Sequence, residues 1–488
     1  MIISPKKLDC RKPRFSGQVS RKLICVLSMA LLLRLLIPSV TYLMTRDTRI
    51  FYSPDTYSYI EPARQLIAHL HFANSSGQPE LKRTPGYPLL IIPGLLLHRV
   101  ELVTISLQIL ISCFTVYLVY RTTMLLFNSE RVALLASFLS ALEPMSLLYV
   151  GVLLSETLFS CIVMICVYYL AKYVRYHQLR HLIACGLSAA VSAYVRPISY
   201  FLPGIIGLFL VMRAFTCTGV SRPAALTQVA IFLLVSVGLL GVWQVRNRIE
   251  TGYSGFSSIA TFNMYFYSAG SVIAAHQHLP LVKVQQQLGM DARTYLRVHP
   301  EQKTWTIAQR LQYMSREAHR VLLNDPITFG RIHCQGIVRT VVGPGTSELL
   351  RFFNMYPKGR GDILSSISDY GFVKSMKIIS TTEPRFFWAI LVLMPLECLY
   401  LVCAAVGVAL SRLARDPAVQ ATVLIATYLL VTTGGPLGFS RFRIPVMPII
   451  CIFAAHGLSQ LADLLQRRGT LSLAQTPAGS AARVPGLC

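Results

Sequence analysis

The stretch LICVLSMALLLRLLIPSVTYLM, residues 23–44, decides the fold of this chain because it is almost wholly apolar. About 20 apolar residues suffice for a helix to cross a hydrocarbon core of roughly 30 Å. Further apolar runs follow it at 102–120, 132–150, 153–171, 182–195, 198–211, 226–245, 387–410, 419–431 and 444–461. The sequence therefore predicts an all-α polytopic membrane protein with about ten or more transmembrane helices and additional external amphipathic helices.

The composition agrees with a membrane protein. Hydrophobic residues make up 53% of the chain, charged residues 14%, and the mean hydropathy is +0.53, whereas soluble domains carry about 25% charged residues. Lys and Arg number 46 against 21 Asp and Glu, an excess that is typical of cytoplasmic loops and of contact with anionic membrane lipids. No nucleic-acid-binding motif is visible, so we expect membrane lipids and no nucleic acid as partners.

Basic residues before the first span orient the chain. They are Lys6, Lys7, Arg11, Lys12, Arg14, Arg21 and Lys22. The positive-inside rule places this end in the cytoplasm, and alternation of the spans places the loop 45–99 outside. We expect a basic cytoplasmic N-terminus at 1–22, a membrane module at 23–245 that includes this loop, an external segment with surface helices at 246–385, C-terminal transmembrane helices at 386–463, and a disordered cytoplasmic tail at 464–488.

The first external loop carries the most informative polar residues. Residues 51–88 read FYSPDTYSYIEPARQLIAHLHFANSSGQPELKRTPGYP, with a carboxylate at Asp55 and a basic turn at Arg83. Helical spacing of the apolar positions after Asp55 predicts a short amphipathic helix on the outer membrane face. The apolar run 88–97 is too short to span and is interpreted as re-entrant or interfacial. The loop therefore combines an acid with a cation beside the membrane.

Other charged residues lie at the outer ends of the predicted spans, namely Asp55, Arg83, Glu143, Glu156, Arg196, Arg246, Arg441 and Arg443. Charges at a membrane edge are costly enough to suggest function, and together they predict a charged outer cavity. The alternative is that each arginine only reaches towards headgroups. Arginine suits phosphate, so we expect a lipid phosphate as ligand. Asp55 fits a general base, with helix capping as its alternative role.

A family resemblance rests on several motifs in order: 53–55 with Tyr59 and Ala63, 83–88, 155–158, 196–197, Trp243 with 246–247, and 441–448. In these the chain resembles the GT-C superfamily, within it the protein O-mannosyltransferase and lipid A aminoarabinose transferase group. The resemblance implies a polyprenyl-phosphate-linked sugar donor, inverting transfer on the external face, and Asp55 as the catalytic acid of the first loop. It also implies that Arg83 meets the donor phosphate and that Glu156 has a structural or acceptor-orienting role. Asp55 is followed by Thr56, where some members place a second acid.

The sequence thus predicts a glycosyltransferase for hexosyl or pentosyl groups, with a lipid, glycan or protein hydroxyl as acceptor. Donor phosphate or substrate contacts are assigned to Arg83, Arg196, Arg246, Arg441, Arg443, Tyr59, Tyr87 and Glu156. The alternative function is a transporter or flippase of a lipid-phosphate-linked substrate. No metal-ligand spacing appears, although a divalent metal near Asp55 stays open.

The last predictions concern the membrane in which the protein lies and three buried polar side chains. We expect the protein to lie in a bacterial inner membrane. The ER membrane is the alternative, and there the sequon Asn74-Ser75-Ser76 would be on the correct side for glycosylation. Arg34 inside the first span should face the helix bundle, because lipid exposure would cost about 2.5–3.5 kcal/mol. Glu397 and His456 are expected to be buried and hydrogen-bonded.

Overall fold

The computed structural model describes residues 20–216, 221–356, 372–411, 413 and 415–474. Within these ranges the chain is helical, and its only β-type pairing is an isolated bridge between Ala73 and Pro79. Most of the basic N-terminal segment, Arg412 and the end of the predicted tail lie outside the described residues.

The N-terminal half contains ten α-helices: α1 Arg21–Thr45, α2 Tyr57–His69, α3 Gly86–Leu96, α4 Val100–Phe127, α5 Glu130–Leu142, α6 Pro144–Tyr149, α7 Glu156–Tyr176, α8 Leu179–Val195, α9 Leu202–Thr216 and α10 Arg222–Thr251. The middle segment follows with α11 Ile259–Phe262, a π-helix Asn263–Ala269, α12 Gly270–Gln277, α13 Leu281–Gln287, α14 Ala292–Val298, α15 Ile307–Asn324, α16 Pro326–Val342 and α17 Thr346–Phe352. Beyond it lie α18 Phe372–Thr382, α19 Pro384–Leu410, α20 Pro417–Thr432 and α21 Met447–Ala474. Short 3₁₀ turns occur at Thr48–Phe51, Pro197–Ser199, Pro300–Gln302 and Ser440–Arg443.

Among the described residues, 7 helices are long and apolar enough to cross a membrane: Arg21–Thr45, Val100–Phe127, Glu156–Tyr176, Pro197–Thr216, Arg222–Thr251, Pro384–Leu410 and Met447–Gln466. Three shorter apolar helices join them, Gly86–Leu96, Leu179–Val195 and Pro417–Thr432. The prediction of an all-α polytopic membrane protein is therefore confirmed.

One predicted span is wrong. The run 132–150 is not one span, because Pro144 starts a new helix and Glu143 caps it by accepting hydrogen bonds from the backbone N–H groups of Met145 at 3.0 Å and Ser146 at 2.7 Å. The boundary between residues 245 and 246 falls inside α10, which continues to Thr251.

The bundle is closely packed around α7 and α21. Helix α7 packs on α4, α8 and α20, and α21 packs on α19 and α5. A side chain at Gly407 would collide with the carbonyl of Phe453, and one at Gly457 with the carbonyl of Cys403. Small residues thus let α19 and α21 approach at backbone distance, as is common between membrane helices.

Arg34 points into this bundle, as predicted. It is 1% exposed and donates to Ser112 Oγ at 2.7 Å and to the carbonyl oxygens of Ala30 and Ala141 at 3.2 Å. These neutral acceptors satisfy the buried guanidinium and tie α1 to α4 and α5. The first span is therefore an integral part of the fold.

Candidate functional site

The loop that carries Asp55 is fixed to the bundle by Thr56. The Thr56 hydroxyl donates to the carbonyl of Leu153 at 3.0 Å and accepts from the backbone N–H of Ser53 at 2.9 Å. Helix α2 begins directly afterwards, and no side chain caps its first turn. The Asp55 carboxylate, 38% exposed, is thus held at a defined place without serving as the cap.

Arg83 meets Asp55 from the second half of the same loop. Its guanidinium donates to Asp55 Oδ1 at 2.8 Å, to Ser58 Oγ at 2.8 Å and to the Tyr59 hydroxyl at 3.1 Å. It also lies over the Tyr59 ring at 4.4 Å, a cation–π arrangement. The backbone N–H of Arg83 donates to Glu80 Oε1 at 2.9 Å. These contacts make Arg83 a preorganised cation beside the carboxylate.

Arg441 meets Asp55 from the far end of the sequence. It belongs to the turn Ser440–Arg443 and donates to Asp55 Oδ2 at 3.1 Å, although 386 positions separate the two residues. Its guanidinium stacks on the neighbouring Phe442 ring at 4.9 Å. Each oxygen of Asp55 therefore has its own arginine, one local and one brought in by the fold.

A second ion pair lies behind the first. Glu156, at the start of α7, pairs through Oε1 with Arg196 Nη1 at 2.8 Å, and their side chains are 3% and 17% exposed. Arg196 also lies over Phe442 at 5.4 Å, the ring on which Arg441 stacks from 4.9 Å. One aromatic side chain thus separates the two predicted cations and keeps both near the site.

The charges of the cluster act on one another. Burial alone would raise the pKa of Asp55, but Arg83 and Arg441 outweigh it and lower that pKa below its ordinary value. Burial would likewise lower the pKa of Arg441, while Glu156, Tyr149 and Asp55 raise it. At neutral pH the site therefore holds an ionised carboxylate between permanent cations.

Two tyrosines from the predicted site form its floor. Tyr59 is 7% and Tyr87 0% exposed, and their rings meet edge to face at 5.0 Å. The Tyr87 hydroxyl donates to Gln108 Oε1 at 2.8 Å. Tyr59 thus contacts Arg83 directly. Tyr87 packs against the Tyr59 ring instead and, being fully buried, is not accessible to a ligand.

The structure places Arg443 elsewhere. It is 0% exposed and pairs with Glu397, which is 1% exposed, at 2.9 Å. Its Nη1 donates to the carbonyl oxygens of Thr340 at 3.2 Å and Gly343 at 3.1 Å. A phosphate cannot reach a guanidinium so enclosed, so the assignment of Arg443 as a substrate contact is replaced by a structural one. Glu397 is buried as expected and ion-paired with Arg443, whereas neither Glu397 oxygen nor Nδ1 of the buried His456 has a hydrogen-bond partner among the described residues.

Arg246 also lies away from Asp55. It pairs with Glu250 at 2.7 Å and donates to the backbone carbonyls of Glu80 at 2.9 Å and Phe72 at 2.6 Å. These partners occupy the guanidinium and fasten the loop before Arg83 to α10. Arg246 therefore holds the loop that carries Arg83 and is not adjacent to the carboxylate.

Sequence reasoning missed two neighbours of the carboxylate. Ser58 accepts from Arg83, and Tyr267 has its pKa raised by burial and by the charge of Asp55. Tyr267 belongs to the π-helix Asn263–Ala269, a rare element that is often found at functional sites. The helical pattern around Tyr59 gives no sign that the preceding residue, Ser58, has a functional role. Tyr267 could not be found either, because no pattern in the sequence indicates a π-helix.

The donor set argues against a metal at Asp55. Among the described residues no group of three or more His, Cys, Asp or Glu side chains is arranged to hold a metal ion. Asp55 has instead a guanidinium within 3.1 Å of each oxygen, and these positive charges would repel a divalent cation. The surroundings of Asp55 therefore do not fit a divalent metal ion.

Part of the chain is similar to a known protein family. The sequence model of the dolichyl-phosphate-mannose-protein mannosyltransferase family matches residues 82–243, a range that contains Arg83, Glu156 and Arg196. No curated protein matches the chain significantly.

Solved structures share the fold. Archaeal oligosaccharyltransferase AglB from Archaeoglobus fulgidus, in complex with an inhibitory peptide and a dolichol-phosphate, aligns with a TM-score of 0.51 at 12% identity over 94% of this chain and 52% of AglB. The apo form of the Archaeoglobus fulgidus oligosaccharyltransferase aligns with a TM-score of 0.51 at 13% identity, with the same 94% and 52% coverage. ArnT from Cupriavidus metallidurans bound to undecaprenyl phosphate aligns at 0.38 and 12% identity over 93% and 81% of the two chains, a score too low to carry an argument.

The chain spans about half the length of those oligosaccharyltransferases, with 52% of each covered. At such low identity the likeness shows the architecture, and the family match adds the sequence relation over residues 82–243. The chain is therefore a multi-pass membrane protein that shares the fold of these oligosaccharyltransferases, and its residues 82–243 are similar to the dolichyl-phosphate-mannose-protein mannosyltransferase family.

Proposed function

We propose that the protein transfers a sugar from a polyprenyl-phosphate-linked donor to an acceptor hydroxyl, with inversion, and that Asp55 is the general base. The observation that carries this proposal is the Asp55 carboxylate with Arg83 on one oxygen at 2.8 Å and Arg441 on the other at 3.1 Å. An acid flanked by fixed cations at the end of membrane helices suits a substrate that combines a lipid, a phosphate and a reactive sugar carbon.

The reaction needs few groups from the protein. The acceptor oxygen attacks the anomeric carbon, the bond from that carbon to the phosphate oxygen breaks, and the phosphate leaves with the electron pair. Asp55 takes the proton of the acceptor hydroxyl, while Arg83 and Arg441 stabilise the departing anion. A phosphate leaves without protonation, so a second carboxylate as acid is unnecessary, in contrast to most glycoside hydrolases. A single displacement inverts the configuration.

The same arginines that would bind the phosphate also regulate the base. In the free protein they lower the pKa of Asp55, which keeps it ionised but makes it a weak proton acceptor. A donor phosphate brings a competing negative charge to Arg83 and Arg441, which weakens their hold on the carboxylate and raises its pKa. Asp55 thereby becomes more basic when the donor is in place.

The choice of donor follows the family relation. The matching family is named for dolichyl-phosphate-mannose, so polyprenyl-phosphate-mannose is the first donor to test, followed by other hexose and pentose derivatives. Lipids, glycans and peptides with free hydroxyl groups are the acceptor panel. We infer that the site faces the side opposite the cytoplasm, which in a bacterial inner membrane is the periplasm and in the ER is the lumen.

The test compares Asp55→Asn with the native protein, using a labelled polyprenyl-phosphate-sugar donor and that acceptor panel. We expect transfer to fall by about 10²–10⁴-fold, the usual contribution of a general base, while donor binding persists through the arginines. Glu61→Gln is the matched control, because Glu61 is in the same loop but only pairs with the exposed Arg64 at 2.9 Å.

Two outcomes would contradict the proposal. Transfer at the native rate by Asp55→Asn would exclude Asp55 as base. Movement of the lipid-linked sugar across proteoliposome membranes that survives the substitution, without transfer to any acceptor, would favour a flippase instead.

A further inference from the structure

A further carboxylate lies beside the turn that carries Arg441. Glu348, in α17, accepts a hydrogen bond from the Ser440 hydroxyl through Oε1 at 3.0 Å. Ser440 directly precedes Arg441 in the turn Ser440–Arg443, and Arg441 pairs with Asp55 at 3.1 Å. Glu348 therefore borders the candidate site, although no sequence motif marks it.

Helix α17 packs against the loop that carries Asp55. The ring of Phe352, one turn after Glu348, lies 6.2 Å from the ring of Phe51. It also fills the space beside Gly151, where a Cβ would come within 2.7 Å of it. Phe51 and Phe352 belong to one buried apolar cluster, and Phe51 is four positions before Asp55. The backbone of Glu348 is therefore fixed relative to the Asp55 carboxylate.

Glu348 differs from the other carboxylates of the site in its partners. Asp55 pairs with two arginines, and Glu156 pairs with Arg196. Within the described residues Glu348 makes no ion pair, and its side chain accepts only from Ser440. It is partly buried. Its second oxygen, Oε2, is therefore available to a ligand.

The hydroxyl of Tyr149 supplies a second polar group. Tyr149 ends the short helix α6, outside the spanning helices; it is 6% exposed, and its hydroxyl has no hydrogen-bond partner among the described residues. Burial and the charges of Glu348 and Glu156 raise the pKa of Tyr149, while Arg441 and Arg196 act in the opposite direction. The hydroxyl thus stays protonated among these four charges. Buried polar atoms are nearly always hydrogen-bonded, so it indicates a ligand or water at this place.

A carboxylate oxygen and a phenolic hydroxyl together suit the hydroxyl groups of a sugar. A sugar hydroxyl can donate to the carboxylate, and another can accept from the phenol. The position favours the sugar of the donor over the acceptor. Because Arg441 follows Ser440 directly, a phosphate held by Arg441 brings the sugar attached to it towards Glu348 and Tyr149.

We propose that Glu348 and Tyr149 form a subsite that binds hydroxyl groups of the donor's sugar and thereby selects which sugar is transferred. This inference rests on the proposed function, because it takes Arg441 as a ligand of the donor phosphate. Glu348 Oε2 accepts from one sugar hydroxyl, and the Tyr149 hydroxyl donates to another. A site built to hydrogen-bond a hydroxyl discriminates strongly against a sugar that lacks it, because its own polar groups are then left unpaired.

The test measures competition binding of two lipids to the purified full-length protein in detergent: polyprenyl-phosphate-mannose and polyprenyl phosphate without a sugar. Other hexose and pentose derivatives are included, and the one that the native protein binds most tightly is used for the comparison. Glu348→Gln can still accept from Ser440, and Tyr149→Phe removes only a hydroxyl. Each should weaken binding of the glycosylated lipid by about 10-fold, as for the loss of one hydrogen bond, and should not weaken binding of the bare lipid phosphate.

Glu61→Gln and Tyr400→Phe are the matched controls. Glu61 pairs with the exposed Arg64, and the Tyr400 hydroxyl donates to the carbonyl of Leu139 inside the bundle at 2.9 Å. Neither substitution should change the preference for the glycosylated lipid. An unchanged preference in Glu348→Gln and Tyr149→Phe, or an equal loss in the controls, would overturn the subsite. Weaker binding of an acceptor with donor binding unaffected would overturn it in favour of an acceptor site.

Transfer measured on the same variants separates this subsite from the proposed reaction. Loss of the sugar preference in both variants, in a protein that transfers sugar to no acceptor, would support the subsite and contradict the glycosyltransferase function. Native transfer with an unchanged sugar preference would contradict the subsite alone. Donor analogues that each lack one hydroxyl group identify the contact: the analogue without the hydroxyl that meets Glu348 should bind the native protein about 10-fold more weakly, with no further loss in Glu348→Gln.

Discussion

Arg441 and Arg443 stand two positions apart on one 3₁₀ turn and have opposite surroundings. Arg441 is 24% exposed and pairs with Asp55, which is 38% exposed. Arg443 is 0% exposed and pairs with Glu397, which is 1% exposed. The turn therefore separates a cation of the candidate active site from a cation of the scaffold, and residue type gives no hint of which is which.

The geometry of the turn explains the difference. With about three residues per turn, positions i and i+2 of a 3₁₀ helix point in different directions. Arg443 turns inward, where it donates to the carbonyls of Thr340, Val341 and Gly343 at the end of α16. Those carbonyls have no further helical partners, so Arg443 closes α16 and thereby fixes the position from which Arg441 reaches Asp55.

The largest effect is expected from Arg443→Met. It removes one partner of a fully buried ion pair and leaves the Glu397 carboxylate uncompensated, which typically costs about 3–5 kcal/mol of stability. Thermal unfolding of the detergent-solubilised protein should show a large fall in midpoint. Arg443→Met combined with Glu397→Leu should recover most of that loss, because an apolar pair often replaces a buried ion pair at little cost. A midpoint unchanged in the single variant would contradict the structural role.

Arg441→Met should reverse the pattern. We expect sugar transfer to fall by about 10²–10³-fold, as when one preorganised donor for a developing negative charge is removed. Stability should change by less than about 1 kcal/mol, because the pair with Asp55 is partly exposed. Steady-state transfer and thermal unfolding measured on the same preparation separate the two effects. Equal losses of stability in Arg441→Met and Arg443→Met would remove the distinction between the two arginines.

The sequence predicts local relations better than distant ones. Asp55 and Arg83 share a loop, and the inward direction of Arg34 follows from the cost of exposing a charge to lipid, so both could be anticipated. The meeting of Asp55 with Arg441 depends on how helices far apart in the chain pack together. The positions of Arg443 and Arg246 depend on which carbonyl groups the fold brings near them. Neither kind of information is present in residue spacing.

Arg246→Gln tests a cation of intermediate burial. Arg246 is 17% exposed, and it holds the loop through the carbonyls of Phe72 and Glu80. Loss of these charged hydrogen bonds should cost about 1.5–3 kcal/mol and make the segment before Arg83 more sensitive to limited proteolysis. Arg248→Gln on the exposed side of the same helix is the control. Unchanged cleavage in Arg246→Gln would show that the loop does not need this anchor.

The pH dependence of transfer gives a second test of the contact between Arg441 and Asp55. Transfer needs ionised Asp55, so the rate falls as pH drops through its pKa, which Arg83 and Arg441 hold below the ordinary value. Removal of Arg441 takes away one lowering charge, so the acid limb of Arg441→Met should move to higher pH. Glu61→Gln should keep the native profile. An acid limb at the same pH in Arg441→Met would mean that a group other than Asp55 controls it.

The smallest effect is expected from Arg64→Gln, because Arg64 is more exposed than Arg246, Arg441 and Arg443. Arg64 is 56% exposed and pairs with Glu61, 30% exposed, at 2.9 Å within α2. A surface pair at this spacing contributes at most about 0.5 kcal/mol and is screened by salt. Thermal unfolding and sugar transfer should both stay within error of the native protein, at low and at high ionic strength. A loss comparable to that of Arg441→Met would mean that exposure is not what separates structural, functional and neutral arginines in this protein.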